Sequence, residues 1–120
     1  MAKFVLKPNY EYWWPVRVKS PNTDPKRGGA TVEQTFNAQF RSVSTTETRE
    51  IMDRAGENGT IEFIQAIVLD WDESVVDDDG QPVAFSDAAL ADMLANVWVL
   101  KAFWTAWSES TSGQAAGTKK

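Results

Sequence analysis

The chain has 120 residues, a net charge of −5 and neither cysteine nor histidine. That length suits one domain with one modest core. The missing residue types exclude disulfides, zinc–thiolate sites and any catalytic chemistry built on cysteine or histidine, so no enzyme and no cofactor is expected. A chain without cysteine fits a cytosolic setting. No apolar run approaches the roughly 18 residues of a membrane span. The opening MAKFVLKPNYEYWW lacks the apolar core and small-residue cleavage site of a secretory signal. The charge is uneven. Residues 1–43 hold seven Lys/Arg against three Asp/Glu (+4), and residues 44–120 hold five against fourteen (−9). A chain this acidic is a poor non-specific binder of nucleic acid, and its charged surfaces read first as solvated.

Residues 1–9 read as an N-terminal arm, residues 10–107 as a single α+β domain and residues 108–120 as a disordered tail, SESTSGQAAGTKK, small and polar. Residues 10–18, YEYWWPVRV, are rich in aromatic and β-branched types and predict a strand. Val16 and Val18 alternate with Arg17 and Lys19, a half-buried pattern. Pro15 cannot donate to a ladder, so the strand lies at an edge or begins near it. Residues 20–30, SPNTDPKRGGA, form a loop. Gly28-Gly29 fits neither glycine-rich phosphate motif, and Lys26-Arg27 make the loop tip a plausible contact arm. Residues 31–43 place Val32, Phe36, Ala38 and Phe40 on one parity, a second strand that closes a long antiparallel hairpin.

About three helices should follow. Ser44 and Glu47 have capping-box spacing, with the hydroxyl accepting from the Glu47 N–H and the carboxylate reaching back. The helix should run to Ala55 on the surface and end at Gly56. Asn58-Gly59-Thr60 reads as a turn rather than a glycosylation acceptor, with Thr60 capping the next helix. Ile61, Ile64, Val68 and Trp71 recur at helical spacing, and Phe63, Ile67 and Leu69 widen the apolar face. The β-branched content also permits a strand there, but polar Gln65 favours a helix. Ser86 should cap the last helix, with Asp87 a favourable first-turn charge.

Between them lies an acidic connection over residues 72–85. Asp70, Asp72, Asp77, Asp78 and Asp79 invite a calcium loop, but neither register works. Counting from Asp70, position six is Val75 and position twelve is Gln81. Counting from Asp77, position six is Pro82. Acid–base work by paired carboxylates would need a cleft that shifts one pKa. Asp77-Asp78-Asp79-Gly80 reads instead as a solvated β-turn.

Residues 88–107 contain no Gly or Pro and read as one helix. Leu90, Met93, Leu94, Val97, Leu100, Trp104 and Trp107 form its core stripe, with the Lys101 stem packed among them. Trp98, Val99 and Phe103 lie off that stripe. Either the helix is covered on several sides, or these three form an exposed patch for a partner or a second copy of the chain.

The order of these features resembles the tail assembly chaperones of long-tailed bacteriophages. The resemblance spans roughly residues 10 to 107. It rests on Trp14-Pro15-Val16, a Pro/Gly-rich loop, a strand ending Phe40-Arg41, a Ser-capped helix and an apolar helix ending Trp71-Asp72-Glu73-Ser74-Val75. Asp79-Gly80-Gln81-Pro82-Val83 and Phe85-Ser86 then open the last helix. Each motif is common by itself, and the signal is their order. Asp70 departs from the pattern, since the family often has glycine before that tryptophan.

The resemblance implies a non-enzymatic α+β protein of the host cytoplasm, absent from the mature virion. It would solubilise the tape measure protein and help recruit major tail protein during tube assembly, with self-association expected. A longer form made by ribosomal frameshifting is also common in the family, and Lys119-Lys120 is a dipeptide that an A-rich slippery run encodes. A covering surface for a long apolar client helix fits an aromatic helix face on an acidic protein. Trp98, Val99, Phe103, Lys26 and Arg27 are the partner-binding candidates. The competing reading is a small structural tail or head–tail joining protein, for which a hairpin with a basic loop would suit ring formation.

Overall fold

A computed structural model of the chain describes residues 3–4 and 10–113. The N-terminal arm therefore lies mostly outside the described residues, as does the tail from residue 114, including Lys119-Lys120. The fold is α+β. β1 (Glu11–Pro21) and β2 (Thr31–Arg41) form the long hairpin, with Val16 opposite Phe36 and Tyr12 opposite Phe40. Its loop contains a short 3-10 turn, Pro25–Arg27. Val16, Phe36, Ala38 and Phe40 are buried, so the hairpin's alternation reads as expected. Val32 does not follow it. This residue is exposed where the hairpin extends past the core.

Pro15 sits inside β1 at no cost to the ladder, and the hydrogen bonds at the two ends show why. Ser42 N–H donates to the Tyr10 carbonyl at 2.8 Å, and Asn22 N–H donates to the Ala30 carbonyl at 2.9 Å. In this register the even-numbered residues of β1 bond to β2, while the odd-numbered residues turn their backbone groups to the free edge. Pro15 and Pro21 are both odd. Each removes an N–H that an added strand would need, which protects the edge from pairing with another chain.

α1 (Thr45–Ala55) begins at Ser44, whose Oγ accepts from the Glu47 N–H at 3.0 Å, and ends at Gly56, where φ is +59°. The reciprocal half of the capping box is absent. The Glu47 carboxylate instead accepts from Arg41 Nη2 at 2.8 Å, because an arginine at the end of β2 offers a charged donor. Arg41 Nε also donates to the Ala66 carbonyl at 2.7 Å, so one side chain ties the sheet to the first two helices.

α2 (Gly59–Ile67) starts two residues earlier than a helix capped by Thr60 would. Its N-cap is Asn58, and no side chain bonds there. The helix also stops short of Trp71. Val68–Trp71 is a third strand, β3, antiparallel to β2 with a bulge at Gln39/Phe40, giving the order β1-β2-β3. The β-branched alternative was correct for these four residues and helical spacing for the nine before them. Asp70 accepts from the Trp71 N–H at 2.8 Å.

The last helix is two helices. α3 (Asp87–Leu94) is capped by Ser86, whose Oγ accepts from the Ala89 N–H at 3.0 Å. α4 (Val97–Thr111) starts at Asn96, whose Oδ1 accepts from the N–H groups of Trp98 (2.9 Å) and Val99 (3.4 Å). Asn is among the strongest N-caps, and it breaks the run without glycine or proline. α4 also continues four residues past Trp107, into the segment expected to be disordered.

The core lies between the sheet and the helices. Phe36 and Phe40 meet Phe103 edge-on, with ring centroids 5.6 and 6.3 Å apart. Phe63 meets Trp107 at 4.9 Å. Among the described residues no helix is long and apolar enough to cross a membrane.

Candidate partner-binding surfaces

The helix break redistributes the apolar surface. α3 buries Leu90 and Leu94, whereas α4 buries Ala102, Phe103 and Ala106. On a continuous helix at 100° per residue these two sets would point roughly 150° apart. The expected stripe therefore holds for α3 and in part for α4, where Leu100, Trp104 and Trp107 pack part-buried against the core and Val97 does not. Val97 was placed in the core and is 57% exposed. Phe103 was placed on a possible partner patch and is fully buried between Phe36 and Phe40. Val99 is half-buried and packs on the core. Of the three off-stripe candidates only Trp98 is exposed, at 42%, and its exposed neighbour is Val97.

Trp98 lines a groove of about 390 Å3 between α4 and the outer parity of the hairpin. Arg17, Lys19 and Glu33 come from the strands, and Lys101 and Glu109 from the helix. Glu109 is already engaged, accepting from Trp14 Nε1 at 3.2 Å and pairing with Arg17 at 3.6 Å. Glu33 lies across the ladder from Lys19. Lys19 and Lys101 form no ion pair among the described residues. The groove is thus an aromatic anchor bordered by more positive than negative charge on an acidic chain.

Lys26 and Arg27 stand at the exposed end of the hairpin. Asp24 Oδ1 accepts from the Lys26 N–H at 2.9 Å, and Asp24 approaches Arg27 at 3.9 Å, so the tip has a defined shape. It forms no part of the groove lining.

The sequence missed a second cleft, of about 340 Å3, lined by Tyr10, Tyr12, Trp13, Trp14 and Trp107. The clustering of four aromatics in YEYWW is the signal that could have shown it. Tyr12 Oη and Ser110 Oγ lie 2.8 Å apart. Burial pushes the Tyr12 phenol pKa up, only partly offset by that hydrogen bond.

The acidic connection is a structured turn. Asp77 Oδ1 accepts from the N–H groups of Asp79 (2.9 Å) and Gln81 (3.0 Å), and Gly80 takes a φ of +78°. Val76 bridges to Pro82, and Trp71 Nε1 donates to the Val83 carbonyl at 2.7 Å. Asp72 anchors the turn to the sheet by accepting from Asn37 Nδ2 at 2.9 Å and the Asn37 N–H at 3.3 Å. Slight burial raises the Asp72 pKa, but the bonds from Asn37 and Ser74 outweigh it and hold the carboxylate below its ordinary range. Glu47 is likewise lowered, by its bond to Arg41. Among the described residues no three acidic side chains converge as a metal site.

No protein-family model, curated protein or solved structure matches the chain.

Proposed function

We propose that this protein is a tail assembly chaperone of a long-tailed bacteriophage. It covers apolar helical segments of the tape measure protein in the host cytoplasm, helps recruit major tail protein and leaves before the virion is complete. The observation that carries the reading is the groove beside α4, where Trp98 stands exposed among charged side chains, next in the chain to exposed Val97. An amphipathic helix is recognised by an apolar anchor within a polar rim, and this groove offers both. Strand addition is the other common mode of capturing a segment, and Pro15 and Pro21 obstruct it along the long edge of the sheet. The order of motifs shared with the family supports the same reading, with Trp14-Pro15-Val16 in β1, Asp79-Gly80 in the turn and Phe85-Ser86 leading into α3.

Co-expression with the tape measure protein is the test. The expected result is a soluble complex that co-purifies with the wild-type chain and is depleted by Trp98→Ala. A tape measure that stays insoluble, with no complex, refutes the proposal. The shaped basic hairpin tip favours a second reading, a structural tail or head–tail joining protein. Mass spectrometry of purified virions separates the two, since a structural protein is present and a chaperone absent.

A further inference from the structure

We infer that the aromatic cleft between β1 and the C-terminal end of α4 binds a proline-rich segment of a partner protein in the polyproline II conformation. This cleft is separate from the α4 groove and differs in chemistry. Tyr10, Tyr12 and Trp14 stand at alternate positions leading into and along β1, with successive ring centroids 6.1 and 6.3 Å apart. Trp107 lines the cleft from α4. The row covers four steps of extended chain, about 13 Å, which about four residues of polyproline II also span.

Charge narrows the choice of occupant. No formally charged side chain lines this cleft, whereas Arg17, Lys19, Glu33, Lys101 and Glu109 line the α4 groove. A charged segment would lose its hydration here without gaining a counter-charge, so the occupant is uncharged. Hydrogen bonding narrows the choice further. Ser110 Oγ gives its hydrogen to the Trp107 carbonyl at 2.7 Å, so the Tyr12 hydroxyl is the donor in its 2.8 Å bond to Ser110. Trp14 Nε1 is committed to Glu109. The Trp107 indole N–H has no partner among the described residues, and no buried side-chain donor is left unsatisfied there, so this N–H reaches solvent. The exposed Ser42 hydroxyl on the rim is a second open donor. A proline-rich segment complements this set. It carries flat apolar rings and carbonyl acceptors, and it has few N–H groups to leave unpaired. Aromatic-lined grooves recognise such segments because the bound conformation is already formed. The cleft is equally prepared. Tyr12 stacks on Phe40 at 5.7 Å and Trp107 meets Phe63 at 4.9 Å, so little ordering entropy opposes docking.

NMR titration of the full chain with acetylated, amidated octaproline tests this, read on the tryptophan indole N–H signals. The Trp107 signal, identified by its absence in Trp107→Phe, should shift with a dissociation constant below about 1 mM. Salt at about 0.5 M should leave the affinity unchanged, because no ion pair forms. Trp107→Phe keeps a ring but loses the N–H and should weaken binding about fivefold. Tyr10→Ala removes a ring that is more than half exposed, so it should weaken binding without unfolding the chain. Circular dichroism confirms that both variants are folded. A chain lacking residues 1–9 should bind equally well, and markedly tighter binding would make the arm the occupant and overturn the inference. No shift at about 5 mM octaproline overturns it, as does unchanged affinity in both variants. Stronger binding of cellohexaose would make the cleft a carbohydrate site, and indole shifts that depend on protein concentration without peptide would make a second copy the occupant. Either result also overturns the inference. None of these outcomes involves a tape measure helix, so failure of the chaperone reading leaves this one standing.

Discussion

Truncating Phe103 and truncating Trp98 should have opposite consequences, although the two side chains lie five residues apart on one helix. Phe103 is fully buried and edge-on to Phe36 and Phe40. Phe103→Ala removes a ring from the centre of the core and leaves a cavity, at a cost of about 3–5 kcal/mol. That is a large part of the roughly 5–15 kcal/mol that holds a domain together. Trp98 is 42% exposed, and its helix start is secured by backbone bonds to Asn96 that any residue at 98 would keep. Trp98→Ala should cost under about 1 kcal/mol, as surface substitutions do. In urea, with a slope of about 1–3 kcal/mol per molar, Phe103→Ala lowers the midpoint by about 2 M and Trp98→Ala by well under 1 M. Far-UV circular dichroism reads both without relying on tryptophan emission. A loss below about 1.5 kcal/mol for Phe103→Ala would refute its central place in the core. An equal loss for Trp98→Ala would make that side chain structural and remove the anchor from the proposed groove.

Three further outcomes follow from local geometry. Asn96→Ala should destabilise by about 1 kcal/mol, measured in the same urea titration, because the first turn of α4 loses its side-chain acceptor. Gly59→Ala should be more damaging than an exposed helix substitution. A Cβ there would lie 3.1 Å from Met52 Sδ and 3.3 Å from the Met52 carbonyl oxygen, and the backbone atom has little room to yield. Its thermal midpoint should fall by several degrees, about 4–8 °C per kcal/mol for a domain near this size. For Tyr12, burial raises the folded-state pKa, so the fold favours the neutral phenol. The stability this contributes is fully present below the unfolded-chain value of about 10 and is lost as pH rises through the folded value. Tyr12→Phe should flatten that alkaline part of the stability profile relative to wild type, and an unchanged slope would count against the buried phenol.

Features specified within a few residues were legible in the sequence. The hairpin parity, the Ser44 and Ser86 caps, the stop at Gly56 and the solvated turn at Asp77–Gly80 all depend on local chemistry. What was not legible depends on contacts far along the chain or on a competition between two adequate local answers. Glu47 had a sound partner in its own capping box, but Arg41 from another element won it. Val68-Leu69 suits either a helix or a strand, and pairing with β2 decided it. The clamp between Asn37 and Asp72 joins residues 35 positions apart and has no local signature.

Asn96 had the largest consequence for the candidate site, because a single cap determines which side of the last helix is free. Had residues 87–111 formed one rod, the side continuing Leu90 and Leu94 would have carried Val97 and Lys101 into the core and left Phe103 outside. The break re-phases α4 so that its smallest side chains, Ala102 and Ala106, and the ring of Phe103 face the sheet. Small residues let the helix approach β1 closely, and Phe103 fills the space between Phe36 and Phe40. The consequence on the other side is that Val97 and Trp98 fall on the first turn and stay about half exposed, Trp98 beside Lys19 and Lys101. The stability of the core and the exposure of the groove therefore have one cause. Substitutions that heal the break, such as Asn96→Ala with Ala95→Leu, should perturb the groove as well as the core. An altered binding surface with an intact core would be inconsistent with that coupling.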